Sequence, residues 1–201
     1  MKILAGNLYI KVILILFGCF ISLTARGDEK PLKLLAVDFP PYEFETPVNG
    51  LKGFDVEVVE EVFRRIGKSI EVEFLPWSRA VKMVYAGKEK ALLTCGHNTE
   101  RDKNLYFSDP ISVGTHGYFI RTDYPGPELK SLEELRGLNV AAVQGYSTQK
   151  ALEELGIEHA IVRTDTIALN ILLAKRIDFY YAAIEGNLFI ANQMDITDEV
   201  M

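Results

Sequence analysis

Residues that commonly carry catalysis or bind metal ions are few and scattered in this sequence. The 201 residues contain three histidines, at positions 97, 116 and 159, and two cysteines, Cys19 and Cys95. A zinc site needs closely spaced ligands of these types, and nucleophilic catalysis needs a nucleophile beside an oriented base. Neither pattern is present, and His97 and His116 have no evident partner. We therefore expect no metal site, no cofactor and no catalytic residue.

Arg101 lies in a short charged run with Glu100, Asp102 and Lys103. A guanidinium group presents two parallel N–H donors to a carboxylate, a geometry that lysine cannot reproduce. The same run is equally typical of a surface ion pair, which contributes little to stability. Taken without their context, these residues favour the surface pair.

Ser147 and Thr148 begin a predicted helix, where hydroxyl groups have two uses. One hydroxyl can cap the helix, while the free main-chain N–H groups and the other hydroxyl contact an anionic ligand. Because the two uses are compatible, both residues are candidate ligand-binding positions.

Hydrophobic periodicity predicts the elements that position these residues. The first half of the chain reads as strands at 32–39, 70–75 and 91–94, separated by helices at 54–66 and 77–85. The apolar residues of the first helix recur at three- and four-residue spacing, which predicts that they form its buried face: Phe54, Val58, Val59, Val62, Phe63 and Ile66. Alternating strands and helices predict a parallel sheet.

A second pattern of the same kind follows an extended segment at 115–121. Ser131 and Glu134 form a capping-box signature for a short helix. The remaining elements are strands at 140–144, 161–163 and 178–183 and helices at 147–155, 166–175 and 186–193. After the last helix, we expect nothing that pairs with an earlier sheet.

These patterns predict an α/β chain of two lobes, at 28–118 and 119–201, joined by the extended crossing. Strand ends and helix N-termini of both lobes then face a cleft. Such clefts bind small ligands, favour anionic groups and close about a hinge.

Composition restricts the partners. The net charge is −6, which disfavours binding to nucleic acid through phosphate neutralisation. Hydrophobic residues make up 48% of the chain, and this excludes fibrous and disordered classes.

Residues 1–27 read as a secretory signal peptide. Lys2 and Lys11 precede an apolar run from Val12 to Leu23, which is shorter than a spanning helix and ends at small residues. A lipoprotein cleavage before Cys19 would leave apolar residues on the mature chain, so ordinary cleavage is favoured over lipid anchoring. We expect a periplasmic protein whose single remaining cysteine, Cys95, forms no internal disulfide.

Four motifs in order resemble the family 3 extracellular solute-binding proteins, the periplasmic amino-acid-binding type that delivers ligands to ABC importers. The resemblance covers about Leu32 to Ile190. Its motifs are Gly53-Phe54-Asp55-Val56-Glu57-Val58, Asn98-Thr99-Glu100-Arg101 with Phe107-Ser108-Asp109-Pro110, Val143-Gln144-Gly145-Tyr146-Ser147-Thr148, and Lys175-Arg176-Ile177-Asp178.

The resemblance implies a periplasmic-binding-protein-like fold of type II, a small-molecule ligand and an ABC permease in the inner membrane as partner. It also implies that Arg101 grips the α-carboxylate of the ligand, which reverses the preference for a surface pair. An aromatic ring in the first loop usually stacks on the ligand. Tyr42 is the best candidate for that ring, and Phe39 and Phe44 are alternatives.

Trp77-Ser78-Arg79-Ala80 is similar to a run found in one branch of the family. Trp77 and Arg79 are therefore candidates for the cleft wall. Alternatively, Trp77 covers the core, the use we favour for it, and Arg79 pairs with a neighbouring acid.

Departures from the family pattern bear on specificity. In amino-acid binders, an aspartate at the position of Ala183 pairs with the α-ammonium of the ligand, and Glu185 can replace it only if the strand end is remodelled. Gly96 and Asn98 stand where the family has threonines, and Asn98 remains a candidate contact. The ligand is then either an amino acid or a carboxylate without the amine.

Family members also return to the first lobe through a second crossing. We expect the second lobe and this return to be truncated here, with apolar surface left uncovered. Three alternatives to a binding protein remain: an enzyme like the cyclohexadienyl dehydratases, with Glu185 as general acid, a sensor or partner-binding module, and a fragment without function.

Overall fold

Two separate β-sheets carry the helices of this chain. The structure is a computed structural model and describes residues 30–201, so the predicted signal peptide with Cys19 lies outside the described residues. The fold is the predicted two-lobe α/β arrangement, with one sheet in each lobe. No helix within residues 30–201 has the length and apolar character needed to cross a membrane.

The first lobe contains a parallel sheet of three strands in the order β2-β1-β3. Its strands are β1 (Leu32–Ala36), β2 (Ile70–Phe74) and β3 (Ala91–Leu92), and its helices are α1 (Phe54–Arg65), α2 (Trp77–Tyr85) and α3 (Thr99–Asn104). Strand β1 ends before Pro40-Pro41, since proline lacks the N–H group that a ladder requires. The chain instead turns back on itself, and Phe39 pairs with Glu43.

The second lobe contains a mixed sheet of four strands in the order β4-β7-β5-β6. Its strands are β4 (His116–Phe119), β5 (Val140–Val143), β6 (Ala160–Val162) and β7 (Phe179–Ala183), and its helices are α4 (Ser147–Glu154), α5 (Asp165–Leu173) and α6 (Ile184–Gln193). Strands β5, β6 and β7 are parallel, as predicted, and β4 is antiparallel to β7. The predicted lobe boundary at residues 118 and 119 falls within β4 and stays a prediction.

The predicted buried face of α1 is largely wrong. The residues Val58, Val62 and Ile66 are 40%, 48% and 63% exposed, whereas Val56 and Val59 pack into the core of the first lobe. The face of the helix that packs on the sheet therefore differs from the face that the apolar spacing predicted. Periodicity identified the helix but not the face that its neighbours cover.

Two local predictions about the second half of the chain are also corrected. Val200 pairs with Arg121, and Met201 exchanges main-chain hydrogen bonds with Ile120, so the last residues do pair with an earlier segment. Ser131 makes no side-chain cap on the 3-10 helix Leu132–Leu135. Glu134 instead accepts the N–H of Lys130, one residue earlier than a capping box requires.

Candidate functional site

Arg101 lies on α3, a helix that the periodicity analysis did not predict. Asn98 caps this helix, because its side-chain oxygen accepts the N–H of Arg101 at 2.8 Å. The Arg101 side chain is buried, with only 4% of the residue exposed, and it makes no ion pair with the neighbouring acids. Among residues 30–201, its side-chain hydrogen bonds go to the carbonyls of Gly96 and Gly145, at 2.8 and 2.9 Å. A solvated surface pair is therefore ruled out.

Gly145 belongs to the second lobe, between β5 and α4, so its bond to Arg101 joins the two lobes. The same carbonyl accepts the indole N–H of Trp77 at 2.9 Å. The Trp77 ring also lies beneath the Arg101 guanidinium, 5.1 Å from the ring centre, which adds a cation–π attraction. Gly145 has φ 78°, a conformation that other residues rarely adopt.

Trp77 is buried, as the structural use requires, and it also lies at the contact between the lobes. Its place in the wall of a ligand-binding cleft stays a prediction. Arg79, two residues later, is not part of this contact. Its side chain lines a separate cavity on the outside of α2.

Ser147 and Thr148 begin α4 as predicted, but neither caps it. Tyr146 occupies the N-cap position, and no side chain makes a cap hydrogen bond there. Thr148 is buried, and its hydroxyl oxygen has no partner within the described part of the chain. Ser147 lies against Gly96 of the first lobe, where a Cβ atom would lie 3.7 Å from the Ser147 hydroxyl.

Tyr42 lies at the lobe contact in an aromatic stack. Its ring centre is 5.3 Å from that of Phe39 and 4.6 Å from that of Phe54, and the residue is 5% exposed. Burial, followed by the nearby carboxylates of Glu185 and Asp55, raises the pKa of the Tyr42 hydroxyl. The hydroxyl thus stays protonated and lies in a field of negative charge.

Glu185 comes from the second lobe, in the first turn of α6. Its carboxylate accepts the N–H of Thr115, in the crossing segment, at 3.1 Å. Main-chain N–H groups of Glu185 itself and of Thr115 lower the pKa of this carboxyl group. Ala183, where the family has an aspartate, is the last residue of β7, and its carbonyl accepts the Asn187 amide at 3.0 Å.

The lobes also approach each other closely beside Gly186. A Cβ atom at this position would lie 3.1 Å from the carbonyl oxygen of Pro40 and 3.3 Å from the Phe39 ring. The Phe39 ring also meets Tyr146 edge to face, with 6.2 Å between ring centres. In this structure, the contact between the lobes is closed by protein atoms.

Glu43 is a residue that sequence reasoning missed. It is fully buried behind the first loop, where its carboxylate accepts the Thr94 hydroxyl and, at 3.2 Å, the N–H of Val37. Burial raises its pKa to about 7, against the opposing effect of these two hydrogen bonds. The carboxyl group thus ties together the end of β1, the aromatic loop and the segment leading to Arg101.

Asp165 has a similar position in the second lobe and was also missed. It is buried at the start of α5, and it accepts the Tyr180 hydroxyl at 2.6 Å and the Asn187 amide at 2.9 Å. The Tyr146 hydroxyl is 3.4 Å from its other oxygen. One carboxylate thus connects the starts of α4, α5 and α6 at the side of the second lobe that meets the first. Neither acid belongs to a motif, so no sequence signal marked its burial.

Two histidines lie close to residues of this arrangement. Burial lowers the pKa of the His116 imidazole, and the nearby Glu185 carboxylate opposes this shift. Contrary to expectation, His97 has a partner: its Nδ1 lies 2.8 Å from the Asp102 carboxylate, and its ring stacks on Phe107. No group of three or more potential metal ligands occurs within residues 30–201.

Comparison with known proteins places this geometry in a family. Residues 34–188 match the family model described as bacterial extracellular solute-binding proteins, family 3. The chain is 32% identical over 114 residues to a probable amino-acid-binding protein, YxeM, of Bacillus subtilis (strain 168), a match covering 56% of this chain and 42% of that protein. It is 25% identical over 176 residues to the arginine-binding extracellular protein ArtP of the same organism, covering 87% and 68% of the two chains.

A solved structure shares the fold. A histidine kinase sensor domain with similarity to periplasmic binding proteins superposes with a TM-score of 0.78 at 25% identity, over 88% of this chain and 77% of that chain. The likenesses support a solute-binding role. The matched region spans 155 residues with the predicted motifs in order, and the chain belongs to family 3 of the bacterial extracellular solute-binding proteins.

Proposed function

We propose that this chain binds a small polar solute with a carboxylate group, an amino acid or a close relative, between its two lobes. We further propose that the protein is exported and presents the closed, loaded form to an ABC permease. The single observation that carries the binding proposal is the buried guanidinium of Arg101, which spans the lobe contact and donates to one carbonyl on each side.

In this proposal, a ligand carboxylate replaces the Gly145 carbonyl as the acceptor for Arg101. If the lobes separate, Arg101 and Trp77 lose this shared acceptor together. A carboxylate can then accept two parallel bonds from the guanidinium, which is the stronger and more directional arrangement. Ser147 and Thr148, at the start of α4, would face the same anionic group from the second lobe.

Glu185 is the proposed partner for a ligand ammonium group. Its carboxylate lies beside Tyr42 and Thr115, at the lobe contact, and its lowered pKa keeps it ionised at neutral pH. Tyr42 supplies an adjacent ring and hydroxyl. This arrangement favours an amino acid over a carboxylate without the amine.

A lowered pKa also argues against the enzymatic alternative. A general acid works best when its pKa is raised toward the working pH, as burial does for other catalytic carboxyl groups. Glu185, the one candidate, is shifted in the opposite direction. We therefore propose a binding protein without catalytic activity.

The similarity to a histidine kinase sensor domain supports a second candidate role, that of a sensor, because solute binding is also the first step of sensing. An uptake assay separates the two roles. Deletion of the gene abolishes accumulation of the labelled solute if the protein serves an importer and leaves accumulation unchanged if it serves a sensor.

Calorimetric titration of the purified chain with the common L-amino acids tests the binding proposal. We expect saturable heat with one amino acid or a small group of them. Arg101→Ala should abolish this heat, whereas Arg176→Ala, an exposed arginine distant in sequence, should retain it. Unchanged affinity in a folded Arg101→Ala variant would remove the assignment of Arg101 to the carboxylate.

A further inference from the structure

Arg79 belongs to a motif that the proposed function does not use. The motif divides its residues between two surfaces: Trp77 reaches the lobe contact, Ala80 is fully buried, and Arg79 is exposed on the outside of α2. There it lines a cavity of about 320 Å³. The other residues around this cavity are Ser78, Lys82, Met83, Ala86 and Lys88.

Three cations therefore surround one concave surface. Within residues 30–201, Arg79, Lys82 and Lys88 form no ion pair, in contrast to Lys52, which pairs with Glu60 at 2.8 Å. Like charges gathered at a surface repel one another, and this repulsion is relieved when an anion binds among them. The concentration of positive charge is unusual in a chain with a net charge of −6.

The types of donor point to the class of anion. Arg79 offers a planar fork of N–H donors, Lys82 and Lys88 offer compact positive charges, and Ser78 offers a hydroxyl group. A single carboxylate would leave most of this charge unneutralised. A tetrahedral oxyanion with two or more negative charges matches this combination of donors and positive charges better.

We propose that this cavity binds a phosphate-type oxyanion group. The site does not include Arg101, and Ser78, which lines the cavity, also lies against Gly145. A Cβ atom at Gly145 would lie 3.6 Å from the Ser78 Cβ. The phosphate group can belong to a soluble molecule or to a lipid headgroup, since the contacts are the same.

Titration with inorganic phosphate and pyrophosphate tests the soluble source, at an ionic strength held constant with sodium chloride. Vesicles containing phosphatidylglycerol, compared with vesicles of phosphatidylcholine alone, test the lipid source. The variant R79Q/K82Q/K88Q removes the three cations. The control K30Q/K130Q/R163Q removes two lysines and one arginine from other exposed positions, so the net charges of the two variants are equal.

We expect saturable binding of at least one phosphate probe to the unmodified chain and to the control variant. The test variant should bind at least about tenfold more weakly. The phosphate affinity of the single variant Lys88→Gln should lie between the affinities of the unmodified chain and the triple variant. Because Lys88 lies outside the helix, this variant remains informative if the triple variant fails to fold. Arg101→Ala should keep the phosphate binding, so that failure of the solute proposal and failure of this one are distinguishable.

Two results would overturn the proposal. The first is no saturable binding of phosphate, pyrophosphate or anionic vesicles to the folded chain. The second is equal binding in the test and control variants, which would mean that the anion responds only to the overall charge.

Discussion

Arg101 and Trp77 donate to the same acceptor, the main-chain carbonyl of Gly145. Both donors belong to the first lobe and the acceptor belongs to the second. The arginine also lies over the indole ring, so the two donors support each other. The contact between the lobes thus includes a charged hydrogen bond and a neutral one to a single carbonyl, with a cation–π attraction between the two donors.

Replacing Arg101 with lysine should weaken solute binding even though the charge is kept. Lysine cannot present two parallel donors to a carboxylate, and we expect an affinity loss of about tenfold to a hundredfold. Calorimetric titration measures the loss, with Arg176→Lys as the matched control. Equal affinity in Arg101→Lys and the control would mean that the guanidinium geometry is not used.

Glu185→Gln should separate the ammonium contact from the carboxylate contact. Affinity for an amino acid should fall by about tenfold, because the charged partner of the ammonium is lost. Affinity for the matching carboxylate without the amine should change little. Titrations of both ligands provide the comparison, and a parallel loss for the two would contradict the role given to Glu185.

Glu43 should make stability depend on pH. Its pKa is about 7 in the folded chain, against 4.5 as the ordinary value, so the folded state binds the proton more tightly. Below pH 4.5, Glu43 is protonated in both the folded and the unfolded state, so it does not make the stability depend on pH. Stability then falls as the pH rises from about 4.5 to about 7, by about 3 kcal/mol in total, and levels off above that range.

Glu43→Gln should remove this slope, since the amide mimics the neutral acid and does not titrate. Denaturant unfolding at several pH values between 4 and 8 measures it. The variant should be more stable than the original chain at pH 8 and similar to it at pH 4. An identical slope in the two proteins would assign the pH dependence to other groups.

Asp165→Asn should destabilise the second lobe. The buried carboxylate accepts from Tyr180 and Asn187 through one oxygen and faces the Tyr146 hydroxyl with the other. An asparagine that keeps the first two bonds loses the negative charge and turns its N–H donors toward the Tyr146 hydroxyl, which now acts as a donor. A loss of about 1–3 kcal/mol is expected from a charged hydrogen-bond acceptor at a buried position. Thermal unfolding tests this against Glu154→Gln, an exposed substitution in the same lobe, which should change stability by less than about 0.5 kcal/mol.

The sequence predicted the elements better than it predicted their buried faces. The order of strands and helices is reproduced except for α3, because apolar periodicity and turn residues are local signals. The exposed stripe on α1 was not predicted, since Val58 and Val62 follow the helical period as closely as Val59 does. The other elements of the fold decide which helix residues are buried, and the hydrophobic period of the helix does not encode their positions.

The sequence identified some residues of the candidate site, and their role in binding a solute stays a prediction. Motifs pointed to Arg101, Trp77 and the segment around Gly145, and the structure brings these residues together. The acceptor itself is a main-chain carbonyl, which no side-chain type marks. Glu43 and Asp165 look like ordinary surface acids in the sequence, because burial of a carboxylate becomes visible only when its hydrogen-bond donors are placed around it.

Trp77 offers the most direct measurement, because it is the only tryptophan of the chain and its indole N–H bonds across the lobe contact. Intrinsic fluorescence of the purified chain should be recorded during titration with each of the common L-amino acids. A saturable change with at least one of them, absent in a folded Arg101→Ala variant, is the predicted result. A folded chain whose Trp77 fluorescence shows no saturable change with any amino acid would contradict solute binding between the lobes.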